Sequence, residues 1–196
     1  MTGDVFCDIC QEDRRGIDRE LLQSILYLAV EIAREGREGR KIGTILVVGD
    51  EQAVLGYSRP LILDPLHGHP PEHKQITEPD VRESIKELAQ LDGAFVISGD
   101  GVAVSAARYI DVSSEGVRLP LGLGSRHIAA ASVTRITKAV AVVVSESSIV
   151  RVFDNGELIS EIIPELWMFR RYALSMEESR IIQRSSEDLT VRTKAD

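Results

Sequence analysis

The stretch AVAVVVS, residues 139–145, is the most strongly apolar run of the chain, and its valines favour a buried strand. Its neighbours decide what kind of sheet it enters. Upstream, LGLGSRHIAAAS (121–132) leads into a helix expected to reach about Thr137, with Ser125 as its cap and Ala129, Val133, Ile136 and Val140 on the face toward the sheet. Downstream, SESS (145–148) is followed by IVRVF (149–153), the turn DNGE (154–157) and LISEI (158–162), which read as two strands joined by a tight turn.

The same alternation extends toward the N-terminus. From Asp18 to about Arg37, Leu21, Leu22, Ile25, Leu26, Ala29, Ile32 and Ala33 recur at helical spacing, and REGREGRK (34–41) is a charged, glycine-broken exit. IGTILVVGD (42–50) reads as a buried strand, and residues 58–76, centred on LDPLHGHPPEH (63–73), as a long surface loop. TEPDVRESIKELAQLDG (77–93) predicts a helix with Thr77 as cap and Pro79 in its first turn. AFVIS and VAVSAAR around SGDG then predict a hairpin over 94–107. Helices alternate with strands while hairpins break a purely parallel pattern, so the expected fold is α/β, a mixed sheet flanked by helices. The expected division is an N-terminal helical extension over 1–40, one α/β domain over 41–163, and a helix with a polar tail over 164–196. In that last segment, ELWMFRRYALSMEESRIIQR (165–184) has helical composition and SSEDLTVRTKAD (185–196) is polar.

Composition narrows the function. With 43% hydrophobic and 28% charged residues, the 196-residue chain has the make-up of a folded globular protein. A formal charge of −8 disfavours unassisted binding to nucleic acid, so an anionic ligand must meet a local positive feature. No run is long enough for a membrane span and the N-terminus does not resemble a signal peptide, so the expected location is cytoplasmic. Cys7 and Cys10 in FCDIC, with His67, His69 and His73, have the residue types of a zinc site, but one isolated CxxC favours two reduced cysteines and a histidine-bearing loop.

Three short stretches carry residues suited to chemistry. Gly122 and Gly124 permit close backbone approach, and the free N–H groups of the following helix, beside Arg126 and His127, form either a phosphate cradle or only a helix start. Asp92, followed by Gly93, is a turn aspartate or a carboxylate available as base or metal ligand. Ser145 and Glu146 end the apolar strand, or place a hydroxyl and a carboxylate at a ligand site.

Taken together, DGA (92–94), LGSRHIAA (123–130) and VSE (144–146), with AARYIDVSS (106–114) between the first two, resemble the diadenylate cyclase domain, most of all its archaeal branch, over roughly residues 40–160. The resemblance implies condensation of two ATP into the second messenger cyclic di-AMP with release of two pyrophosphates, a divalent Mg²⁺ or Mn²⁺, and a homo-oligomer, at least a dimer, in which two nucleotide sites face each other. It implies that Asp92 activates the 3′-hydroxyl or holds metal, and that Glu146 is a catalytic acid near the metal. Gly93 belongs to the first motif; Gly122, Gly124, Ser125, Arg126, His127 and Ser145 surround the phosphates, Arg126 and His127 with a share in catalysis; Tyr109 matches a position that stacks on adenine in some relatives. Three positions depart from the common pattern: Ser125 replaces threonine, Ile128 replaces a second arginine, and Ser147 replaces a second acid. Ile128 and Ser147 motivate the alternative of a nucleotide-binding sensor without turnover. A structural oligomer module is the third reading.

Overall fold

The computed structural model describes residues 6, 8–10, 14–164, 181–185 and 190–194. Helix α1 (Arg19–Glu35) begins where the Asp18 carboxylate accepts the backbone N–H groups of Glu20 and Leu21, satisfying donors that the first turn leaves open. It is followed by β1 (Thr44–Val48), the short α2 (Glu51–Gly56), β2 (Ser58–Pro60), α3 (Pro79–Leu88), β3 (Ala94–Ile97), β4 (Ala103–Ile110) and α4 (Ser125–Ile136). Then come β5 (Val140–Val144), β6 (Val150–Asp154), β7 (Glu157–Ile163), β8 (Ile181–Ser185) and β9 (Thr190–Lys194). All strands join one mixed sheet in the order β2-β4-β3-β1-β5-β6-β7-β9-β8, in which β1 and β3 are parallel and the other neighbours antiparallel.

Strands β1, β3 and β5 are buried along their whole length, which explains why every residue in them but Thr44 is apolar. Because side chains alternate across a strand, Leu46, Val48, Phe95, Ile97, Val142 and Val144 face one way and pack with Leu22, Ile25 and Ala29 of α1 and Ile85 of α3. Ile45, Val47, Val96, Ala141 and Val143 face the other way and pack with Ala130, Ala131 and Val133 of α4. The molecule is thus three layers, α1 and α3 on one face and α4 on the other. Truncating a fully buried side chain such as Leu22 to alanine is expected to cost about 2–5 kcal/mol. Among the described residues no helix is long and apolar enough to cross a membrane.

Several local expectations are corrected. The cap position of α3 is Glu78, not Thr77, and makes no side-chain cap bond. Gly124 takes the cap position of α4, making Ser125 the first helical residue. The packed face of α4 is His127, Ala130, Ala131, Val133 and Thr134, while Ile136 is exposed and Ala129 only partly buried. The helix therefore lies rotated from the face that apolar spacing suggested, because Ala130 and Ala131 let it sit close to the sheet. The expected loop over 58–76 starts as edge strand β2 on β4, and the short α2 precedes it. Beyond β2 the loop is tied down by Asp64, which accepts the Ser105 hydroxyl at 2.6 Å and the Leu66 and Ala106 N–H groups. Of the tail, 165–180, expected helical, lies outside the described residues, whereas Ile181–Ser185 and Thr190–Lys194 form strands β8 and β9 rather than helix end and polar tail.

One topological consequence positions the site. Since β3 runs parallel to β1 and β5 antiparallel to it, with Ile45 opposite Ala94 and Thr44 opposite Val144, the starts of β1 and β3 and the end of β5 share one edge of the sheet.

Candidate active site

At that shared edge stand Gly43 before β1, Asp92 and Gly93 before β3, and Ser145 and Glu146 after β5, with the N-terminus of α4 beside them. Gly93 has φ 110°, and a β-carbon there would meet the Ala107 and Arg108 backbone at 2.7–2.9 Å, so only glycine fits where the chain crosses the irregular register of β4. That close approach fixes Asp92 at the strand's start.

Arg126 joins the two carboxylates. Its Nη2 lies 3.1 Å from Asp92 Oδ1 and its Nη1 2.9 Å from Glu146 Oε1. The side chains of Asp92 and Glu146 are 86% and 65% exposed, so water screens both ion pairs and each holds the arginine only weakly. The guanidinium rests where Gly43 has no side chain: a β-carbon would stand 2.6 Å from Nη1.

Two cavities meet at Ser125 and Arg126. The first, about 670 Å³, is lined by apolar groups including Ile45, Ile62, Ile110 and Ala129 together with Asp92, Gly93 and Tyr109. Tyr109 is 45% exposed, and the Arg59 guanidinium lies 4.6 Å from its ring centroid. Arg108, also on the wall of this cavity, bonds the Ser58 hydroxyl through Nε and the Ser58 and Leu55 carbonyls through Nη2. The second cavity, about 370 Å³, is polar: Gly122, Gly124, Ser125, Arg126, His127, Ser145, Glu146, Ser147 and Arg151 surround it.

The polar cavity opens on the start of α4. The N–H groups of His127 and Ile128 bond the Gly124 carbonyl, leaving those of Ser125 and Arg126 without a partner among the described residues. A β-carbon on Gly124 would meet nothing within 4 Å, so the glycine keeps open space in front of these donors. Such a helix end favours anions. Ser145 lines the cavity but spends its hydroxyl on the β5–β6 turn, donating to the Ile149 carbonyl and lying 2.7 Å from the Ser147 hydroxyl.

His127 is not a cation of this site. It is buried, and desolvation, then the charges of Arg151 and Arg126, push its pKa down to about 4, so it is neutral near pH 7. Arg151 Nη1 lies 3.2 Å from its Nε2. An arginine only donates, so Nε2 accepts and Nδ1 carries the ring proton. The second cation of the polar cavity is therefore Arg151, which bonds Glu161 Oε1 at 2.8 Å.

All ten sequence-predicted site residues stand at these two adjoining cavities. Gly43, Arg59, Arg151 and Glu161 were not among them. The available signal for the last two was a charge within each of two apolar strands joined by a tight turn. Among the described residues no group of three or more His, Cys, Asp or Glu is placed to hold a metal, and Cys10 is buried. Cys7 lies outside the described residues.

Comparison with known proteins shows the family of the chain. The chain is 47% identical over 147 residues to a diadenylate cyclase of Methanocaldococcus jannaschii, covering 74% of this chain and 46% of that protein. It is 42% identical over 151 residues to a diadenylate cyclase of Haloferax volcanii, covering 76% and 55% respectively. The chain thus spans about half the length of the curated relatives it matches. Among solved structures, DacA from Staphylococcus aureus aligns over 71% of this chain and 84% of that one, with 23% identity and a TM-score of 0.47. The family model described as DAC, DisA bacterial checkpoint controller nucleotide-binding, matches residues 31–158, a span that contains every residue of both cavities, and the chain belongs to that family.

Proposed function

We propose that this chain is a cytoplasmic diadenylate cyclase, condensing two ATP into cyclic di-AMP and two pyrophosphates, with residues 41–163 as its catalytic domain between flanking segments 1–40 and 164–196. The observation that carries this reading is the pair of cavities meeting at Ser125 and Arg126, an apolar room beside Tyr109 and a polar room at a helix N-terminus, with Asp92 and Glu146 at the seam. That division suits a nucleoside on one side and its phosphates on the other.

In this reading adenine lies against the exposed Tyr109 ring, and the phosphates take the free N–H groups of α4 with Arg126. Each site holds one ATP, so a second copy of the chain presents the attacking 3′-hydroxyl. Asp92 accepts its proton; the new bond joins O3′ to the α-phosphorus while the α–β bridging bond breaks and its electron pair leaves on pyrophosphate. Positioning of both ligands supplies much of the acceleration, since it makes the encounter effectively unimolecular.

The donor set fits a divalent cation of the Mg²⁺ or Mn²⁺ class, which binds through one or two carboxylates completed by substrate phosphates and water. Asp92 and Glu146 are the residues that would hold it, supplying charge neutralisation at the phosphates. Arg126 now sits between these carboxylates, and the weakness of its exposed ion pairs leaves it free to turn to a phosphate when nucleotide arrives.

The test is mass spectrometry of the product from ATP with Mn²⁺ or Mg²⁺ over a range of protein concentrations. Cyclic di-AMP is expected, at a rate per protein that rises with concentration, and Asp92→Asn is expected to abolish it while ATP still binds. A folded protein that makes no product with either metal overturns the proposal. Tight ATP binding without turnover would select instead a nucleotide sensor, the reading favoured by the uncharged Ile128 on the wall of the larger cavity.

A further inference from the structure

We infer that Arg151 is a phosphate-binding residue of the polar cavity and that Glu161, opposite it on β7, is its positioning residue; the inference rests on reading that cavity as the place of a nucleotide's phosphate chain. Arg151 and Glu161 are directly paired across β6 and β7, and their side chains are only 7% and 0% exposed. Burying two charges costs desolvation that is offset only when the contacts are complete. Here they are incomplete. Nε donates to Oε1 at 2.8 Å, whereas Glu161 Oε2 has no hydrogen-bond partner and Arg151 Nη2 has none among the described residues. The two-bond fork that arginine and carboxylate frequently form is not made here.

The half-closed arrangement instead orients the guanidinium. Glu161 holds it from the Nε side within the sheet, and the residue reaches the wall of the polar cavity beside the first turn of α4. Its Nη1 donates to His127 Nε2, and the neutral imidazole leaves the arginine's charge uncompensated on that side. Arg126 is the other cation of this cavity, and it stands at the seam with the apolar one. Until a phosphate draws it, Arg126 is shared between Asp92 and Glu146, and the uncharged Ile128 lines the larger, apolar cavity rather than the polar one. An anionic phosphate oxygen would complete the donor set that the protein leaves open, and the planar fork of arginine suits it.

The experiment is calorimetric titration of the full chain with three probes: inorganic tripolyphosphate, a non-hydrolysable ATP analogue, and adenosine. For Arg151→Met, affinity for tripolyphosphate and for the analogue should fall at least about tenfold while that for adenosine stays within about twofold. Arg151→Lys should recover part of the loss, and Glu161→Gln should weaken the two phosphate-bearing probes without affecting adenosine. If Arg151→Met alone leaves Glu161 buried and unpaired and fails to fold, the double change Arg151→Met with Glu161→Met removes both charges and should fold with the same selective loss. Unchanged tripolyphosphate affinity in a folded variant, an equal loss for adenosine, or a wild-type chain that does not bind tripolyphosphate each overturns the inference. Selective loss in a protein that forms no cyclic product would leave this inference standing and remove only the cyclase reading; wild-type turnover and KM in Arg151→Met would do the reverse.

Discussion

The guanidinium of Arg126 occupies the space that a side chain at Gly43 would need: a β-carbon built on Gly43 stands 2.6 Å from Nη1 and 2.9 Å from Cζ. The flexible end of the arginine is the group that must yield, and it would leave Asp92 and Glu146. Gly43 does not have a positive φ, so Gly43→Ala adds no backbone strain. Stability should therefore change by no more than about 1 kcal/mol, the scale of exposed ion pairs, while affinity for an ATP analogue falls on the order of tenfold. Denaturant titration and calorimetry together check this, and an unchanged affinity would show that Arg126 has no fixed place in binding.

His127 links stability to pH. Its folded pKa, about 4, lies below the ordinary 6.5, so between these values the unfolded chain binds a proton that the folded one refuses. Stability is accordingly full above about pH 6.5 and declines as pH falls toward 4. The whole shift corresponds to about 3 kcal/mol; with solvent in the adjoining cavity we expect about 2 kcal/mol. Denaturant melts of wild type and His127→Gln at a series of pH values test it. The variant should show a shallower loss between pH 6.5 and 4.5, and parallel curves would refute the assignment.

Gly93→Ala should be far more damaging than its size implies. At φ 110° an alanine is strained, and its β-carbon would press on backbone atoms of Ala107 and Arg108, which cannot swing aside as a side chain does. We expect a loss of about 3 kcal/mol and a melting temperature lower by several degrees. A variant as stable as wild type would mean that the start of β3 is softer than the geometry requires.

Tyr109→Ala separates stacking from packing. The ring is 45% exposed and touched on one side by Arg59, so its removal should hardly alter the unfolding midpoint. Loss of a stacked base is worth about 1–3 kcal/mol, so adenosine affinity should drop about tenfold or more, with tripolyphosphate affinity unchanged. Tyr109→Phe should retain most of the adenosine affinity. Equal losses for both probes would assign the ring to packing.

The helices α1, α3 and α4 and the strands β1 and β3 to β7 were legible because each carries an apolar period, or an unbroken apolar run, that local chemistry alone requires. Elements without such a signal were not. Ser58–Pro60 is a strand only because β4 offers an edge, and Ile181–Ser185 with Thr190–Lys194 because β7 does. The true face of α4 was hidden for a related reason: apolar spacing marks Ile136, but the approach of Ala130 and Ala131 to the sheet turns it outward.

For the site, the sequence alone determined the chemistry of the parts: a carboxylate before one strand, a glycine-opened helix start bearing Arg126, and a carboxylate after another strand. Those are local facts, set by residue type and neighbouring turn propensity. Only the tertiary structure decided that they meet, because the opposite senses of β3 and β5 against β1 bring strand ends distant in sequence to one edge. It also decided the charge of the polar cavity. Burial and a neighbouring Arg151 keep His127 neutral, and cross-strand pairing with Glu161 places Arg151 beside a helix start with which it shares no sequence motif. Desolvation and cross-strand register depend on what packs around a residue, which no local pattern along the chain encodes.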